Sequence, residues 1–204
     1  MSLLYSSFDF RDKYISSKEP KLVNFHEDKT NLFLLGDDSA ITKSVEELYE
    51  AFESKKDEIS KKRSNGVLSE IHKSFNNSDD FIIESKKEEI KLSCIHLKKE
   101  IKVTYPDGFI KSSKTIFEIE GGKAIENNNV LKDLLECLSC NRLDDRPFRA
   151  EHLIVAVPNV YKVNGRSTYP FKNTVKAYYA FYLSKGKRLP KPLRGIVVLG
   201  YKKT

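Results

Sequence analysis

A chain of 204 residues is long enough for one hydrophobic core and short for two domains with a linker, so a single domain is expected. Charged residues are 32% and hydrophobic residues 39%, which with clustered apolar runs excludes wholesale disorder, and no run reaches the roughly 18 apolar residues of a membrane helix. The net charge of +7 is unevenly placed: His152 to Thr204 holds eleven Lys and Arg and no acid, leaving −4 on residues 1–151, a polarity that suits a polyanionic partner.

The start, MSLLYSSFDFRDKY, lacks a basic region, an apolar stretch and a small-residue cleavage site, so a cytoplasmic protein is expected. Asn31 to Leu35 reads as an early strand stopped by Gly36-Asp37-Asp38. Ser44-Val45-Glu46-Glu47 has the form of a capping box, and Val45, Leu48, Tyr49 and Phe52 follow at helical spacing, predicting a helix to about Ser60. Lys61 to Gly66 breaks it, and a shorter helix is expected from Val67 to about Phe75, ended by the turn residues Asn76 to Asp80. The period then changes. Phe81-Ile82-Ile83, Ile101 to Tyr105 and Thr115 to Glu120 are β-branched or alternating runs bounded by Pro106-Asp107-Gly108 and Gly121-Gly122, and so read as strands.

Val130, Leu131, Leu134, Leu135 and Leu138 return to helical spacing, and Leu153 to Val157 is a continuous apolar run of the kind buried on both faces of a sheet. Pro170 with Val175, Tyr178, Tyr179 and Tyr182 predicts a further helix, and Gly195 to Tyr201 a closing strand. The expected fold is α/β, a mixed central β-sheet flanked by helices. Cys137 and Cys140, without a second cysteine pair or paired histidines, read as buried free thiols, and Cys94 as a third.

The densest polar feature joins Asp107 to Glu118 and Glu120. In an antiparallel hairpin Asp107 lies at a strand end, and the two glutamates, two residues apart, share one face. Their mutual repulsion calls for a proton, a basic neighbour or a divalent cation, and hard oxygen donors suit Mg²⁺.

This pattern, PD, a short gap and a strand with two acidic positions one residue apart, resembles the PD-(D/E)XK nucleases. Glu120 stands where that superfamily usually has Lys, which is similar to the BamHI-like branch of type II restriction endonucleases with its E-x-E strand. The resemblance covers about residues 65–158, from Asn65-Gly66-Val67 at the start of a helix to the apolar strand ending in Pro158. It implies a restriction-endonuclease-like fold with an N-terminal region at 1–64, a catalytic core at 65–158 and a basic part at 159–204. It implies a Mg²⁺-dependent endonuclease acting on double-stranded DNA as a homodimer. Asp107 and Glu118 would ligate the metal with the Ile119 carbonyl, and Glu120 would orient or deprotonate the attacking water. Glu84 is the best match for a supporting acid and Glu70 its competitor, while Lys123 either supplies positive charge or is an exposed loop lysine. Asn127 and Asn129 either meet DNA or cap the next helix. Lys132, Arg166, Lys185, Lys187 and Arg188 are the expected DNA contacts, Arg166 through guanine or phosphate. A non-enzymatic nucleic-acid-binding protein and a nuclease without sequence specificity, of repair or phage origin, are the rival readings.

Overall fold

A computed structural model describes residues 25–36, 43–75, 78–83, 91–96, 99–123, 128–143 and 146–204. A six-stranded sheet runs through its centre, built from β1 (Asn31–Gly36), β2 (Phe81–Ile83), β5 (Gly108–Ile110), β6 (Thr115–Ile119), β9 (His152–Pro158) and β12 (Gly195–Tyr201). Its spatial order is β1-β12-β9-β6-β5-β2. β6, β9 and β12 are mutually parallel and the other neighbours antiparallel, so the fold is α/β with a mixed central sheet flanked by helices.

Alternation along the strands sorts the apolar residues into two layers. On one face Leu153, Val155 and Val157 of β9 pack with Ile116 of β6 against α4 (Asn129–Ser139) and α5 (Pro170–Ser184). On the other, Ile154 and Ala156 pack with Phe117 and Ile119 against α1 (Lys43–Ser54), α2 (Lys56–Ile59) and α3 (Ser64–Ser74). All seven residues of β9 and of β12 are buried, as the continuous apolar runs require of strands covered on both faces.

Several elements differ from the sequence expectation. The first helix breaks at Lys55 before the single turn of α2, and the Ser44 side chain lies outside the described part of the structure. The run at 101–105 belongs to β4 (Lys99–Thr104), which pairs with β3 (Leu92–His96) in a separate sheet completed by β7 (Arg142–Leu143) and β8 (Arg146–Pro147). The hairpin partner of β6 is therefore the short β5, and the Lys111 to Lys114 turn joins them. A two-stranded ribbon, β10 (Tyr161–Val163) and β11 (Arg166–Thr168), stands apart from both sheets. Its turn places Asn164 and Gly165 at φ of 50° and 75°, the left-handed pair that a two-residue hairpin needs. Among the described residues no helix is long and apolar enough to cross a membrane. Cys94, Cys137 and Cys140 form no disulfide, and the last two are buried.

Candidate functional site

The site lies at the carboxyl end of β6. Because β5 runs antiparallel to it, with Gly108 opposite Phe117, Asp107 immediately before β5 falls beside Glu118. Two backbone bonds tie them together. The Asp107 amide donates to Glu118 Oε2 at 3.3 Å, and the Ile119 amide donates to Asp107 Oδ2 at 2.7 Å. Among the described residues each carboxylate accepts that one bond, and neither is met by a basic side chain at hydrogen-bonding distance.

Glu118 and Glu120 share the parity of Ile116, which packs on the α4 side of the sheet, so both point toward that helix. Glu120 follows β6 and is held from three directions. Its amide donates to the Ala156 carbonyl at 2.8 Å, its carbonyl accepts the Tyr201 hydroxyl at 3.0 Å, and Asn129 Nδ2 donates to its Oε2 at 2.8 Å. Gly121 and Gly122 come next, and a side chain at Gly122 would run into the Tyr161 ring of β10. This close approach seats the β10–β11 ribbon against the turn that carries Glu120.

The carboxyl groups are electrostatically strained. Burial, opposed by the Ile119 amide and reinforced by Glu120, pushes Asp107 up to about 6. Glu118 keeps a little exposed surface but is crowded by protein, and burial together with Asp107 and Asp133 holds its carboxyl well above the usual range. Asp133 of α4 is 4% exposed, and burial with the charge of Glu120 pushes it up to about 8. Three desolvated acids and Glu120 thus converge on one sheet end. Lys132, whose charge acts on Asp107 and Asp133, pairs with Glu136 at 3.5 Å. Partial burial pulls its ammonium down, but Glu136 and Asp133 outweigh that and hold it up.

A divalent cation fits this donor set. The hard carboxylate groups of Asp107 and Glu118 are held side by side by the two backbone amides, partly buried and, among the described residues, without a basic side chain at hydrogen-bonding distance, and a cation would relieve their repulsion as a proton would. Among the described residues no three His, Cys, Asp or Glu side chains are already drawn to coordinating positions around one point. Asp107, Glu118 and the backbone of Ile119 are the residues that would hold it.

The remaining sequence candidates divide. Glu84 and Asn127 lie outside the described residues. Glu70 is buried on α3, but its carboxylate takes Lys62 Nζ at 2.6 Å and Lys73 Nζ at 3.0 Å, and those two lysines pull it down to about 2. Neither Asn128, at the start of α4, nor Asn129 caps the helix, and Asn129 is engaged with Glu120. Lys123 is exposed in the turn after Gly122, and Arg166 is exposed on the ribbon. Lys185, Lys187 and Arg188 are exposed beyond the far end of α5. That helix starts near the ribbon and runs 15 residues, so the three lie roughly 20 Å along its axis from Pro170. The basic last quarter is therefore shared between the two ends of the sheet. Lys202 and Lys203, at the site end, are spent on Asp57 at 2.6 Å and on the Lys62 carbonyl.

Asp133 was not among the residues singled out from the sequence. Its signal was a carboxylate at i+3 from Val130 and just before Leu134, inside what the structure makes the buried face of α4: Val130, Asp133, Leu134, Glu136 and Cys137. The leucine stripe pointed elsewhere, for Leu131 and Leu135 are 39% and 64% exposed.

Compared with protein-family models, curated proteins and solved structures, the chain matches none.

Proposed function

We propose that this chain is a Mg²⁺-dependent, sequence-specific endonuclease that hydrolyses phosphodiester bonds of double-stranded DNA, a type II restriction enzyme of the BamHI-like kind. One observation carries the reading: Asp107, Glu118 and Glu120 lie together at the carboxyl end of a parallel strand, and among the described residues no basic side chain reaches Asp107 or Glu118 at hydrogen-bonding distance. Open α/β sheets place ligands outside the carboxyl ends of their strands. The strand, helix, parallel-strand order of β6, α4 and β9 supports the same reading.

Bound Mg²⁺ would lower the pKa of a coordinated water and offset charge on the departing oxygen. Asp107 and Glu118, fixed by the two backbone amides, are the acids that hold it. Glu120 aligns the attacking water, and Asn129 keeps its carboxylate from rotating away. The exposed ribbon carrying Lys162 and Arg166 beside the Glu120 turn supports a role in gripping DNA, and Lys132 lies at the same end. Lys185, Lys187 and Arg188 would contact phosphates away from the cut. A homodimer matches two-fold DNA and places one site on each strand. Exposed Leu131 and Leu135, one turn apart on α4, offer apolar surface for it. A cytoplasmic location goes with that substrate.

Incubation with plasmid and Mg²⁺ tests the reading. Discrete fragments are expected; a smear marks a nuclease without sequence specificity, and retarded migration alone marks a binding protein. Asp107→Asn and Glu118→Gln should each lower cleavage by at least ~100-fold, the scale lost when a group acting in the transition state is removed. Intact cleavage in either variant would move the active site elsewhere.

A further inference from the structure

Among the carboxylates of this cluster, Asp133 has the least explained surroundings. It lies four residues after Asn129 and so on the same face of α4, and Asn129 reaches Glu120 at 2.8 Å. Asp133 therefore enters the same space from one turn further along. It is 4% exposed, and its Oδ2, shut off from water, accepts no hydrogen bond. A buried carboxylate oxygen left unsatisfied is costly and rare in native structures.

The groups around it do not close the account. On its own helix Lys132 turns to Glu136. From the sheet come Asp107, Glu118 and Glu120, all acids. Tyr178 of α5 lies nearby, but its hydroxyl donates to the Val130 carbonyl at 2.7 Å. Among the described residues no donor meets Oδ2, and the sheet-side acids Asp107 and Glu120 repel it.

We infer that Asp133 is a further oxygen donor of the divalent-cation site, contributed by the helix that follows the hairpin. This rests on the nuclease reading above. Mg²⁺ favours six oxygen ligands and keeps several as water, so a further buried carboxylate has a place either on the ion or on its water. Glu70, held by two lysines, has no such freedom.

Terbium(III) on the full-length chain, excited through the site tyrosines Tyr178 and Tyr201, reads binding without requiring cleavage. Wild type should give a saturable signal that Mg²⁺ displaces. Asp133→Asn, which keeps shape and removes charge, should weaken terbium binding by roughly tenfold or more, the scale on which supporting groups act, while Glu118→Gln abolishes it. Unchanged binding in Asp133→Asn alongside loss in Glu118→Gln would overturn the role of Asp133 and leave the nuclease reading standing. No saturable binding in wild type would overturn both. A measurement needing no variant guards against misfolding of Asp133→Asn. In carboxyl ¹³C spectra of the wild-type chain the Asp133 resonance should move on Mg²⁺ addition together with those of Asp107 and Glu118, and an unmoved Asp133 resonance overturns the assignment.

Discussion

Asp107 titrates close to neutrality because burial pushes its carboxyl up to about 6, and Asp133, deeper among acids, up to about 8. Both bind a proton more tightly folded than unfolded, where an aspartate titrates near 4. Their stability contribution is therefore full below about pH 4 and is lost as pH rises through the folded values. Glu70, pulled down to about 2 by Lys62 and Lys73, has the opposite sign, but its contribution is lost only as pH falls below about 4.5, outside that window. The metal-free protein should accordingly lose stability on the order of a few kcal/mol between pH 5 and 8.5. Thermal melts across that range check it, and millimolar Mg²⁺ should restore the upper end, since a ligand that binds only the folded state stabilises it. A melting temperature that climbed with pH would contradict the buried-acid account. Glu118 and Glu120 were legible as a pair because a strand has period two whatever its neighbours. Asp133 was not, because which face of a helix is buried depends on how the helix is rolled against the sheet.

At the scale of elements, α4 shows that roll. Its sequence offers a leucine stripe, yet the structure buries Val130, Leu134 and Cys137 with two acids and leaves Leu135 64% exposed. A helix of mixed apolar faces is placed by what it packs on, here Ile116 and Leu153 of the sheet. The exposed face is where the homodimer we propose would meet. Leu135→Lys, at a surface position where substitutions change stability by ~0.5 kcal/mol or less, should convert the dimer to a folded monomer in sedimentation equilibrium. A persistent dimer would place the contact elsewhere. The strand at 101–105 shows the same limit: its alternation made it a strand, but nothing local said that it joins β3 rather than the Asp107 hairpin.

Across the whole molecule, the three sequence segments do not stand as separate layers. β12, from the last quarter, inserts between β1 from the N-terminal region and β9 from the middle. Asn159 reinforces the junction, donating to the His26, Glu27 and Lys29 carbonyls and accepting from Asn31. Core damage in β12 should thus unfold everything at once. Leu199→Ala, at a fully buried position, should cost ~2–5 kcal/mol in a single urea transition, and two separate transitions would show that the parts fold independently.

Period, breakers and apolar runs are local properties, and they determined most of the helices and strands, the mixed sheet and the pairing of Glu118 with Glu120. Partnership is a property of distance in space. The hairpin already brought Asp107 toward Glu118; only the tertiary structure supplied the two backbone amides that fix them, spent Glu70 on lysines, brought Asp133 into the cluster and divided the basic quarter between the two ends of the sheet. Charges that are neighbours along the chain separate by 1.5 Å per residue of helix, whereas acids far apart in sequence meet wherever strand register and helix roll bring them.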